Sequence, residues 1–146
     1  MQTVAHILRQ KAQQTVYRIA PSARVLDALK LLDEKKIGAL LVMEGEYIAG
    51  IVSERDYTRK VELMGRSASA ILVREIMTSS VICIGPDYSN EQCMALMTEN
   101  RIRHLPVVVN DALVGLISIG DLVKDIIFEQ RFTIQQLEHY IYGERG

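Results

Sequence analysis

Apolar residues fall along this chain in two kinds of pattern, and each kind occurs twice. Val25, Leu29 and Leu32, with Ala28 and Leu31 beside them, recur at helical spacing and predict an amphipathic helix through Lys36. Cys93, Met94, Leu96 and Met97 occupy the equivalent face of a second helix, and both stripes read as core. After each helix the period shortens. Residues 39 to 43, a polar break at Glu44-Gly45-Glu46 and residues 47 to 52 predict a hairpin, which residues 105 to 109, Asn110-Asp111 and residues 112 to 117 repeat. Val16-Tyr17-Arg18-Ile19 predicts a short strand closed by Pro21, with Ser22 placed to cap the next helix and Asp87 as its counterpart. Each hairpin runs into Ser-x-x-Asp and a further apolar-periodic helix, giving an α+β unit of order β-α-β-β-α with a small mixed sheet.

The two patterns are one unit used twice. Gly50-Ile51-Val52-Ser53-Glu54-Arg55-Asp56 returns 65 positions later as Gly115-Leu116-Ile117-Ser118-Ile119-Gly120-Asp121, and the same offset carries Ile19-Ala20-Pro21 onto Ile84-Gly85-Pro86. A shorter element, residues 4 to 8, resembles residues 73 to 77 at an offset of 69, so the first copy holds four extra residues around Gln10 to Gln14. The expected organisation is a first unit over 4–62, a linker over 63–72, a second unit over 73–128 and a helical tail over 129–146. In the tail Phe132, Leu137, Tyr140 and Ile141 stand on a polar background. A single copy buries little apolar surface, so the two halves are expected to share a core.

Composition narrows the partners. With 17 basic and 18 acidic side chains in 146 residues the net charge is −1, which offers no electrostatic footprint for nucleic acid or an anionic membrane. No apolar run approaches the roughly 20 residues of a membrane span. The first residues lack the order of a secretory signal, and Cys83 and Cys93 lack a disulfide framework or metal-ligand spacing. A cytoplasmic setting is expected.

The repeated Gly-h-h-Ser-x-x-Asp (h apolar), together with Arg103-His104-Leu105-Pro106-Val107-Val108 and the Ile-x-Pro strand ends, resembles a tandem pair of CBS domains from Val4 to about Phe128. The resemblance implies two CBS units packed through their sheets about a pseudo-twofold axis into one module. It also implies two clefts for adenosine-containing ligands such as AMP, ATP, NAD or S-adenosylmethionine, frequent association into homodimers, and a role in regulating a separate partner rather than in catalysis.

Asp56 and Asp121 fall in the first turn of helices that leave a strand directly, where a carboxylate can accept from both hydroxyls of a ribose, the role the family motif assigns to it. Ser53 and Ser118 at the helix start can bond a sugar or phosphate oxygen beside free backbone N–H groups. The same spacing also fits a capping box, so each pair can serve structure, binding or both. Arg103 and His104 precede Pro106 and can flank an adenine, whereas the first copy has Gly38 and Ala39 there. Arg55 can hold phosphate and aligns with Gly120, which admits a ligand to the backbone. Val16, Ile37, Ser80, Val81 and Ile102 are candidate cleft walls. Arg59 and Lys124, one turn beyond the aspartates, are expected to form i,i+3 ion pairs with them.

Against the sensing module stand two other readings. A nucleotide hydrolase would need a paired carboxylate, a Cys/His nucleophile arrangement or a metal cluster, and none lies near the motifs. An adaptor dimer would have empty clefts and recognition carried by the tail.

Overall fold

The computed structural model describes residues 2–11 and 15–142. Of the extra residues expected around Gln10 to Gln14, numbers 12–14 lie outside that range, as do 143–146 of the tail. Chain order is α1 (Val4–Gln10), β1 (Arg18–Ile19), α2 (Val25–Lys35), β2 (Ala39–Glu44), β3 (Tyr47–Ser53) and α3 (Glu54–Tyr57), followed by a π-helical turn over Thr58–Glu62 and a 3₁₀ turn over Val73–Glu75. Then come α4 (Asn90–Asn100), β4 (His104–Val109), β5 (Ala112–Ser118) and α5 (Ile119–Tyr142).

Two compact bodies emerge, and at their N-terminal ends they do not follow the sequence copies. One comprises residues 15–83 with 111–113; the other comprises the described residues up to 11 together with 84–110 and 114–142. In the first body β1 runs parallel to β2 (Ile19 opposite Val42), and β2 pairs antiparallel with β3. Thr78 forms an antiparallel bridge to Ile51 on β3. The segment around residues 71–77, which precedes copy two in sequence, therefore closes the copy-one body: Val73 N–H donates to Ala23 O at 2.8 Å and Arg74 N–H to Pro21 O at 3.0 Å. The second body repeats this with α1, whose Val4 and Ala5 donate to Tyr88 O and Pro86 O at 2.8 and 2.9 Å. Each copy's leading segment thus completes the other copy.

These contacts move the helix starts. Arg24 bridges Leu72, and Val25 N–H donates to Ile71 O, which holds residues 21–24 out of the helix. Ser22 accordingly does not cap α2; its N-cap is Arg24, which supplies no side-chain bond. Asp87 does not cap α4 either, because Ser89 does so in a capping box with Gln92. Both helices end one residue short of a left-handed C-cap, at Lys36 (φ 54°) and Arg101 (φ 53°). The predicted first strand is paired only over Arg18–Ile19, and in copy two only through the parallel bridge of Ile84 to Val107.

Val25, Ala28, Leu32, Leu40, Val42 and Val52 form the first body's core with Val61, Ile71, Val73 and Ile76. In the second body Val4, Ile7, Ile84, Cys93, Met97, Leu105, Val107, Ile117 and Leu122 are buried. Cys83 is exposed and Cys93 buried, both as free thiols, and burial pushes the Cys93 thiol up to about 11. A disulfide-exchange reagent is therefore expected to titrate one thiol in the native protein and two in denaturant; rapid native reaction of both would contradict this packing.

The helices after the two motifs differ. After copy one, the α-helix lasts four residues before the π-helical turn, where Leu63 N–H donates to Thr58 O at 3.0 Å. After copy two, α5 continues for 24 residues, so the tail expected from residue 129 is the continuation of one helix.

Candidate functional site

The two Ser-x-x-Asp turns share the same set of backbone and capping hydrogen bonds. Glu54 N–H reaches Gly38 O at 3.4 Å, and Ile119 N–H reaches Arg103 O at 2.9 Å, so in each body the start of the motif helix is hydrogen-bonded to the residue just before the hairpin. That bond sets Gly38 and Ala39 beside Ser53 and Asp56, and Arg103 and His104 beside Ser118 and Asp121. Both turns are capping boxes. Ser53 N–H donates to Asp56 Oδ2 at 2.9 Å and Asp56 N–H to Ser53 Oγ at 3.3 Å; the matching bonds to Asp121 Oδ2 and Ser118 Oγ are 2.8 and 3.1 Å. The cap fixes one carboxylate oxygen and thereby aims the other.

A lysine approaches each aspartate, and in neither case is it the one expected. Asp56 pairs with Lys60, at i,i+4 and 3.3 Å, rather than with Arg59. Asp121 pairs at 2.9 Å with Lys11, at the end of α1, rather than with Lys124. The ammonium groups are further anchored on carbonyls, Lys60 on Ile76 O at 2.7 Å and Lys11 on Leu116 O at 2.8 Å. Spacing could not reveal Lys11, because only the exchange of leading segments brings α1 to copy two.

The turns differ in what they leave to a ligand. On Asp56, Oδ2 takes the cap and the Ser53 hydroxyl (3.1 Å) while Oδ1 takes Lys60. On Asp121, the cap and Lys11 both fall on Oδ2. Among the described residues, the bonds to Asp121 thus gather on Oδ2, whereas both oxygens of Asp56 are engaged.

His104, half-buried at the head of β4, lies in the field of Asp121, Lys11 and Arg103. Burial is the largest influence and lowers its pKa; Asp121 pulls it back up, while Lys11 and Arg103 lower it further. The imidazole is thus held neutral where an unfolded histidine, near 6.5, would protonate. Because the unfolded state binds more protons in that window, the stability due to His104 is full above pH 6.5 and is lost as pH falls through the lower folded value. Urea midpoints measured from pH 7.5 to 5 should fall less steeply for His104→Asn than for wild type, and equal slopes would contradict the assignment.

A cavity of about 390 Å³ borders this turn, lined by His6, Ile7 and Gln10 of α1, by Lys11 just after it, and by Asp121, Lys124, Asp125 and Phe128 of α5. Its size falls within the range of small-molecule sites. Of the other candidates, Ile102 is half-buried beside Arg103, Pro106 is buried in β4, and Gly120 is exposed in the first turn of α5. In the first body, Val16 and Ile37 are half-buried, Ala39 is buried, and Gly38 and Arg55 are exposed. Ser80 and Val81 belong to that body as well, exposed and half-buried respectively. No group of three or more His, Cys, Asp or Glu among the described residues could hold a metal ion. No helix among them is long and apolar enough to cross a membrane.

Two α+β bodies, each carrying the glycine-led Ser-x-x-Asp turn at the end of a hairpin, define a duplicated α+β fold. The chain belongs to the CBS-domain family, whose pattern it matches over residues 4–63 and 73–127. It is 41% identical over 124 residues to the mitochondrial CBS domain-containing protein CBSX3 of Arabidopsis thaliana, a match covering 82% of this chain and 60% of that protein. The chain thus spans less than two thirds of that relative. A solved CBS-domain structure from Burkholderia ambifaria is 55% identical, with a TM-score of 0.86 over 88% of this chain and 96% of that one. The CBS domain pair of protein MJ0100, solved with 5′-methylthioadenosine and S-adenosylmethionine, shares the fold at 20% identity and a TM-score of 0.76, over 88% of this chain and 98% of that one.

Proposed function

We propose that this chain is a non-catalytic sensor of adenosine-containing ligands of the AMP, ATP or NAD type, and that the bound state is read by a separate regulated protein. The observation that carries this reading is the second turn, where among the described residues the cap and Lys11 both hold Asp121 by Oδ2, so that Oδ1 suits a ribose hydroxyl. Beside it, the neutral His104 and Arg103 suit the adenine face, and Lys11 and Lys124 at the cavity suit phosphate. CBS pairs in general bind adenosine ligands and regulate partners, and the ligands of the MJ0100 pair support the same chemistry here. Ser53, Asp56 and the exposed Arg55 form the second candidate site, expected to be weaker because Lys60 occupies Asp56 Oδ1. Signalling requires the ligand to favour one conformational or assembly state, since equal affinity for both would shift nothing.

Association into homodimers is part of this reading, as is a cytoplasmic location, which the two free thiols support. A thermal-shift screen of AMP, ADP, ATP, NAD, NADH and S-adenosylmethionine tests it. At 100 times the dissociation constant a ligand adds about 2.7 kcal/mol to stability. A selective rise in melting temperature identifies the ligand class. The absence of a rise with all six, in a protein that still assembles, would favour a capping-only role for both turns and an adaptor function.

A further inference from the structure

One face of α5 is apolar and open. Val123, Ile127, Ile134, Leu137 and Ile141 are 41, 42, 54, 56 and 62% exposed, with exposed Gln130 in line between them. The spacings from 123 through 127, 130, 134 and 137 to 141 are four, three, four, three and four residues, the 3.5-residue average of a narrow coiled-coil seam. Phe132 lies on the opposite side of the helix, and Phe128 lines the cavity against α1.

We propose that α5 pairs with α5 of a second copy as an antiparallel two-stranded coiled coil. This supplies a surface for the association included in the proposed function and requires nothing of its ligand. The seam is complementary to itself when one helix is reversed: Val123 then meets Ile141 of the second copy, Ile127 meets Leu137, and Gln130 meets Ile134, placing one polar residue of each helix inside the seam, where it fixes register at a cost in stability. Charge selects this direction. Arg131 and Glu138 flank the seam on the same side, and reversal sets each Arg131 against Glu138 of the other copy, giving two ion pairs. In a parallel pair Arg131 would face Ile126, and Glu138 would face Thr133. A membrane surface fits less well, because α5 carries four acidic side chains (Asp121, Asp125, Glu129, Glu138) against two basic ones (Lys124, Arg131).

Sedimentation velocity of the full chain without nucleotide tests the pairing. The expected result is a dimer that Ile134→Glu converts to monomer with melting behaviour retained, since Ile134 is exposed, and that Phe132→Glu leaves intact. Arg131→Glu and Glu138→Arg should each weaken the dimer about three- to tenfold, and the double exchange should restore it. A dimer that survives Ile134→Glu, or one that the double exchange fails to restore, would overturn the seam while leaving association itself standing. A monomeric wild type would remove both, with ligand binding judged by the thermal-shift screen alone.

Discussion

Asp121→Asn is expected to abolish most of the ligand-induced stabilisation while leaving the unliganded fold nearly intact. The amide oxygen can still accept from Ser118 N–H, so the cap that Asp121 Oδ2 now provides survives. The partly buried pair with Lys11 is lost, at a cost of about 1 kcal/mol. The second oxygen becomes an NH₂ donor, which cannot accept from a ribose hydroxyl. Losing a hydrogen bond to a charged acceptor costs about 1.5–3 kcal/mol, a roughly 10- to 100-fold weaker complex. At a concentration 100 times the wild-type dissociation constant, a 100-fold loss lowers the stabilisation from about 2.7 to about 0.4 kcal/mol. Asp56→Asn should have the smaller effect, since Lys60 already holds Asp56 Oδ1. Retention of the full thermal shift in Asp121→Asn would assign that carboxylate to capping alone. The alanine variant is less informative, because it removes cap and acceptor together.

The two motif glycines should respond unequally to a single methyl group. A Cβ on Gly50 would lie 2.8 Å from Thr78 O and 2.8 Å from Met77 Sδ. That carbonyl accepts from Ile51 N–H at 3.0 Å, so it cannot retreat without opening the bridge that closes the first body. Gly50→Ala is therefore expected to cost about 1–3 kcal/mol, a fall of roughly 3–10 °C in melting temperature for a chain of this size. On Gly115 the nearest atoms belong to the end of the Leu8 side chain, at 2.7 and 3.0 Å. A rotamer change relieves that contact, and Gly115→Ala should cost less than about 1 kcal/mol. Equal melting temperatures for the two variants would contradict the packing described for residues 77 and 78.

The contrast between these glycines also marks how far the sequence could be read. The offset of 65 located both hairpins, both motif turns and the helices between them, because turn residues and apolar period are local signals. The resemblance to CBS domains rested on those same residues. Which body each leading segment completes was not legible: residues 4 to 8 and 73 to 77 resemble each other at an offset of 69, but pairing across the chain leaves no local trace. The misplaced caps at Ser22 and Asp87 follow from this, since backbone bonds from the leading segments delay the start of α2 and α4. The same exchange hid Lys11 as the partner of Asp121. The α5 seam required knowing that the helix passes residue 129 without a break, which apolar spacing alone did not show.

The most direct measurement is a calorimetric titration of wild type and of Asp56→Asn/Asp121→Asn with the ligand that gives the largest thermal shift. Saturable binding in wild type, lost or reduced by at least about tenfold in the double variant, is the result expected if the duplicated turns are the ligand sites. Binding of equal strength in both proteins would contradict that claim, as would no binding in wild type.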